Sequence, residues 1–139
     1  MNKKNTLLLF LCLFCLWAVA QEKKPVKIAC VGNSITYGSG IKNQFQNSYP
    51  GLLSQLLGEG YDVRNFGISA RVLLNKGDHP YMHEQKFRDL LAFQPDIVTI
   101  KLGTNDSKPW NWRYGKDFKK DLTEMLDILQ ELPSKPKIY

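Results

Sequence analysis

Ser34 follows a glycine and an asparagine in Gly32-Asn33-Ser34-Ile35-Thr36, directly after the apolar run Val26–Val31. A serine at the end of a strand can turn its hydroxyl out of the sheet. The backbone N–H groups that follow it can face developing negative charge, most of all where a helix begins. Gly67 closes a second apolar run and offers an N–H with no side chain in the way. Asn105 stands two residues past Gly103, at the end of a third run, and carries a side-chain amide donor. A nucleophile with three donors from three strand ends suits acyl transfer, because attack on a carbonyl creates an oxyanion that needs such donors. Three rival loops fail. Thr36 stands where the Gly-x-Ser-x-Gly elbow needs its second glycine. No Gly-Lys-Ser/Thr follows to make a phosphate-binding P-loop, and Gly38-Ser39-Gly40 lacks the third glycine of a dinucleotide fingerprint. A flavin-phosphate loop after the first strand stays open on fold grounds. So does a plain Ser/Thr-rich loop for Ser34 taken alone.

The elements that must hold these residues can be read from the hydropathy pattern. Val26–Val31, Tyr61–Phe66 and Asp96–Leu102 read as buried strands ending at Gly32, Gly67 and Gly103. Between them, Gly32–Asn47 reads as loop. Pro50–Leu57 reads as a helix with Leu52, Leu53, Leu56 and Leu57 on one face, Ser48 as its cap, and Gly58 and Gly60 as its end. Met82–Phe93 reads as a second helix, stopped by Pro95. The clearest helix runs from Phe118 to Leu132, with Leu122, Met125, Leu126 and Leu129 at helical spacing, and Pro133 and Pro136 end it. Lys137-Ile138-Tyr139 begins a fourth strand. Strand–helix alternation with short links indicates an α/β fold with a parallel sheet. In such sheets the ligand site lies at the carboxyl ends of the strands. Asn33-Ser34, Ile68-Ser69 and Thr104-Asn105-Asp106 are therefore expected to converge on one crevice.

Composition bounds the rest. The 139 residues are 43% hydrophobic, which is too apolar for a disordered chain and long enough for one domain. Lys3 and Lys4 precede an apolar run from Leu7 to Ala20 that ends in Ala18-Val19-Ala20. This is the pattern of a secretory signal peptide over residues 1–20, followed by one domain over 21–139, and it implies a secreted or periplasmic protein. The run is shorter than the roughly 20 residues a spanning helix needs, so no stable membrane insertion is expected. Cys12 and Cys15 fall in that segment, which leaves Cys30 as a small core residue. The net charge of +6 is scattered among acids without a basic stripe, so nucleic acid is not an expected partner. His79 and His83 stand four apart near Asp78 and Glu84, but Pro80 interrupts a helix there. A surface loop is the expectation, and no metal is expected. Trp110, Trp112 and Tyr114 either stack on a sugar at the crevice mouth or pack under their loop.

Three blocks in order carry a resemblance. Gly32-Asn33-Ser34-Ile35-Thr36, Asn65-Phe66-Gly67-Ile68-Ser69-Ala70 and Gly103-Thr104-Asn105-Asp106 resemble the first three blocks of the SGNH (GDSL-like) hydrolases. The resemblance covers Val26 to the end of the chain. It implies a flavodoxin-like three-layer α/β/α fold with a parallel sheet. It also implies Ser34 as nucleophile, with its own N–H, the N–H of Gly67 and the side chain of Asn105 as oxyanion hole, and no cofactor. Asn33 departs from the family's usual aspartate, a change the family tolerates, and Asp106 is expected to brace its loop. The secreted start and the first block most resemble the sialate O-acetylesterase-like and other carbohydrate-ester branches. The implied function is a secreted serine esterase that removes acetyl groups from a small-molecule or glycan ester.

The family's fourth block, Asp-x-x-His, supplies the base that activates the serine. Lys76 and Pro80 stand three residues before His79 and His83, so neither histidine makes it. The chain is therefore expected to be the N-terminal part of such an esterase, weak or inactive by itself. Two other classes stay beside the carbohydrate esterase: a lysophospholipase or lipase-type esterase, and a glycan-binding accessory protein that kept the crevice without the chemistry.

Overall fold

The computed structural model describes residues 24–139, so the expected signal segment lies outside the described residues. Four parallel strands form one sheet: β1 (Val26–Gly32), β2 (Tyr61–Gly67), β3 (Ile97–Lys101) and β4 (Lys137–Ile138). Their order is β2-β1-β3-β4, so the first strand lies inside the sheet and β2 forms one edge. The register pairs Gly32 with Gly67 on one side and with Lys101 on the other. This brings the carboxyl ends of β1, β2 and β3 level, as the crevice expectation requires.

Among the described residues, six α-helical segments accompany the sheet. They are α1 (Ser34–Tyr37), α2 (Gln44–Asn47), α3 (Tyr49–Leu57), α4 (Gln85–Phe93), α5 (Pro109–Trp112) and α6 (Phe118–Gln130). Side chains alternate across a strand, and the two faces of this sheet are covered differently. Ala29, Val31, Phe66 and Val98 face Phe87, Leu90 and Phe93 of α4 and Met125 and Leu129 of α6. Leu90, Met125 and Leu129 are fully buried, each worth about 1.5–3 kcal/mol by burial of apolar surface. On the other face lie Cys30 and Thr99, which are register partners, under Tyr49 of α3. The result is the expected three layers with a parallel sheet, one layer carried mainly by α3.

Four expectations change in detail. The stretch Gly32–Asn47 is not plain loop, because α1 and α2 each make one turn there. Met82–Phe93 is not one helix. Tyr81–His83 forms a 3-10 turn, Glu84 is extended at φ −80° and ψ 151°, and α4 starts only at Gln85. Glu84 is held out of helical conformation where its carboxylate pairs with Arg71 at 2.7 Å. The leucine face of α3 is only partly used: Leu53 is half-buried, while Leu52 and Leu56 are 47% and 84% exposed. Ser48 stands at the N-cap of α3, but its side chain makes no capping bond.

Candidate active site

Ser34 occupies the first position of α1, immediately beyond β1. Asn33 places it there. Its Oδ1 accepts the Ile35 N–H at 3.0 Å and so caps the helix, while its side chain is sealed at 1% exposure. Gly38, at φ +88°, ends the helix after one turn. As the first helical residue, Ser34 has no intrahelical acceptor for its N–H. Its hydroxyl makes no hydrogen bond among the described residues and is half-buried. The turn is pressed close to the sheet. A Cβ on Gly32 would lie 2.1 Å from Thr36 Oγ1 and 2.7 Å from the Lys101 carbonyl, so only glycine fits between β1, α1 and β3.

Asn105 lies just past β3, behind Gly103 at φ +107°. It is 8% exposed, and its Nδ2 donates one hydrogen to the Arg71 carbonyl at 3.0 Å. An amide nitrogen has two hydrogens, so the second remains for a ligand, with its direction fixed by the first. The loop around it is bound to residues 71–78 by a series of buried side chains. Asp106 Oδ1 accepts the N–H groups of Leu73 and Leu74, each at 2.8 Å. Asn111 Nδ2 donates to the Asn105 carbonyl at 2.9 Å, and its Oδ1 accepts the Asp78 N–H at 2.8 Å. Asp121 Oδ2 accepts the Asn75 N–H at 2.8 Å. Asp106 thus braces its loop as expected. Asn111 and Asp121 escaped the sequence reading, and their only signal was a polar residue interrupting the apolar spacing after the third block.

The Gly67 N–H, expected to face the oxyanion, donates here to Asn65 Oδ1 at 2.9 Å. The lack of a side chain also serves packing, because a Cβ would lie 2.3 Å from the Tyr37 N. Asn65 completes the junction by donating from Nδ2 to the Thr36 carbonyl at 2.9 Å. Farther along the same turn, Ala70 sits at φ +66°. It is exposed, and its N–H has no acceptor among the described residues. Ser69, beside it, meets Ser39 Oγ at 2.6 Å. The backbone N–H groups of Ser69 and Ala70 both lack an acceptor among the described residues, and an alanine gives no hint of the left-handed backbone at position 70.

The remaining candidates lie elsewhere. His79 and His83 are both exposed, and neither hydrogen-bonds Ser34. Among the described residues no three His, Cys, Asp or Glu side chains gather as a metal site. Cys30 is free and fully buried, and burial pushes its thiol above the ordinary range. Trp110 and Trp112 are each 53% exposed, and Trp112 leans on Gly115 and Phe118.

A strand-end serine on a capped helical turn and an oriented asparagine amide, in this sheet order, define a class. Residues 30–139 match the GDSL-like lipase/acylhydrolase family, and the chain belongs to that family. Over 111 residues, 80% of its length, it is 54% identical to an acetylxylan esterase of Xylanibacter ruminicola, but it spans only 23% of that protein. Among solved structures it resembles the native aryl esterase of M. Smegmatis, with 25% identity and a TM-score of 0.63 over 81% of this chain and 61% of that one. It also resembles AlinE4, an SGNH-hydrolase family esterase, with 22% identity and a TM-score of 0.60 over 81% of this chain and 58% of that one.

Proposed function

We propose that this chain carries the nucleophile and oxyanion donors of a secreted ester hydrolase that removes acetyl groups from a carbohydrate. Ser34 Oγ attacks the ester carbonyl, and the carbonyl oxygen gains negative charge in the tetrahedral intermediate. The Ser34 N–H at the start of α1 and the free hydrogen of Asn105 Nδ2 receive that charge. The Gly67 N–H is the third donor and gives up its bond to Asn65 Oδ1 when the oxyanion forms. Collapse of the intermediate expels the sugar hydroxyl and leaves an acetyl-serine, which water then hydrolyses to acetate. The single observation that carries this reading is the pairing of an unbonded serine hydroxyl on a capped turn with an asparagine amide held by the Arg71 carbonyl. The acetyl and carbohydrate parts rest on 54% identity to an acetylxylan esterase. The segment 1–20 exports the protein, and N-terminal sequencing of the exported form should begin at Gln21.

The chain's two histidines make no contact with Ser34, so the decisive assay uses a chimera. The matching segment of the Xylanibacter ruminicola acetylxylan esterase is replaced by this chain's residues 24–139. The chimera should release acetate from acetylated xylan, and Ser34→Ala in it should reduce kcat by about 10⁴-fold or more. A folded chimera with no acetate release, or one indifferent to Ser34→Ala, would sink the reading.

A further inference from the structure

We propose that the cleft along the free edge of β2 is the subsite that binds the sugar backbone of the substrate, a neutral chain of pyranose rings. This deepens the carbohydrate-ester reading and rests on it. A cavity of about 920 Å³ opens along this edge, between α2 and α3 on one side and Lys86 of α4 on the other. An acetyl group alone needs far less, and the volume is of the size that houses extended small-molecule ligands. Tyr37 lines the cleft and stands three residues after Ser34 on the same turn, a rise of about 4.5 Å. Tyr37 therefore links the cleft to the turn that carries Ser34.

The lining suits sugars. Phe45 is 92% exposed and Tyr37 38% exposed, which gives two rings whose faces can cover the C–H faces of pyranoses. The amide nitrogen of Gln44 donates to the Tyr37 carbonyl, and that of Gln55 to the Gln46 carbonyl at 2.8 Å. Their amide oxygens are thereby oriented and left as acceptors for hydroxyl groups. The Gln46 side chain adds a further donor and acceptor with no partner among the described residues. Asp62 and Arg64 pair at 2.8 Å, and Lys86 Nζ donates to the Gly67 carbonyl at 3.5 Å, so most of the lining is uncharged and offers rings and amides to a polyhydroxyl ligand. The same charged pair on the edge strand opposes addition of a peptide strand. Trp110 and Trp112 also expose rings, but they lie beyond β3 and outside this cleft.

The test is titration of the full chain with xylohexaose, followed by calorimetry and by amide shifts. Wild-type protein should bind with shifts clustered at residues 37–46 and 62–65. Phe45→Ala should weaken binding at least fivefold, Gln46→Ala at least twofold, and Trp110→Ala less than twofold, all with unchanged melting temperature. No binding by the wild-type chain overturns the assignment. So does a larger loss in Trp110→Ala than in Phe45→Ala, or capture of an extended peptide at residues 62–65 in place of the sugar. In the chimera, Phe45→Ala should raise KM for acetylated xylan and leave p-nitrophenyl acetate untouched. Ser34-dependent turnover with no such split would discard the cleft and keep the esterase, whereas absent turnover would discard the esterase.

Discussion

Asn105 shows how one side chain is made fit for chemistry by its neighbours. One amide hydrogen anchors it to the Arg71 carbonyl, and its own carbonyl is held by Asn111. Removing an oxyanion donor typically costs about 10²–10³ in kcat, so Asn105→Ala in the chimera should lower kcat by that factor with little change in KM. Asn111 acts only through position. Asn111→Ala should lower kcat less, about tenfold, and Asn111→Asp should recover less than half of the loss because it keeps the acceptor for Asp78 but not the donor for Asn105. Steady-state kinetics of the three variants checks both statements. Cys30 makes the opposite case. It is sealed at 0% exposure with its thiol pushed up, so Ellman's reagent should leave it unmodified at pH 8 in the folded state and react with it fully in denaturant. The places of Ser34 and Asn105 beyond strand ends were legible in the sequence because both follow glycines at the ends of apolar runs. The bond from Gly67 to Asn65 was not, since a hydrogen bond to a residue two positions back leaves no trace in spacing. Asn111 and Asp121 were invisible for a related reason, because the backbone N–H groups they accept lie more than thirty residues away.

At the scale of elements, the long apolar patterns were read well and the single turns were not. β1, β2 and α6 lie within two residues of their expected limits. α1 and α2 are each one turn, too short to show a period, and of the two only α1 has a side-chain cap. Asn33→Ala removes the cap of α1 and should destabilise the protein by about 1 kcal/mol, measurable by urea denaturation. In the chimera it should also depress kcat, because the turn carries Ser34. Ala70 offers the reverse change. At φ +66° an alanine is strained, so Ala70→Gly should raise the melting temperature, the relief being about 1 kcal/mol before the added chain entropy is counted. A fall in melting temperature would show that the chain entropy of the glycine outweighs the strain. α3 was expected to bury one leucine face. Its position at the margin of the sheet leaves Leu52 and Leu56 in solvent, which amphipathic spacing cannot distinguish from a covered face.

Across the whole molecule, the parallel sheet and its crevice followed from strand–helix alternation, but the unequal covering of its two faces did not. Spacing shows that a strand is buried without showing by what. Tyr49 is the contact that ties α3 to the middle of the sheet, through Thr99 at 3.1 Å. Burial raises its phenol from 10.0 to about 12. The folded state therefore holds this proton more tightly than the unfolded one. The stabilisation is complete below pH 10 and fades as pH rises from 10 towards 12. Tyr49→Phe should show a shallower loss of stability over that window than wild type, read by denaturant midpoints at pH 9 and pH 11. Equal slopes would place the coupling elsewhere. Tyr81, deeper still and donating to the Phe66 carbonyl at 2.6 Å, is pushed higher in the same direction and keeps part of the slope in the variant.

The inner place of β1 has a consequence for how the molecule comes into being. β1 leaves the ribosome before β2 and β3, which flank it, so it waits for both neighbours before it is enclosed. Ser34 is synthesised well before Arg71, Asn105 and Asn111, which furnish the other half of the crevice. During vectorial synthesis the turn that carries Ser34 faces no crevice until residues past 111 have emerged. Pairings this distant along the chain also favour slow closure, in the millisecond range or beyond.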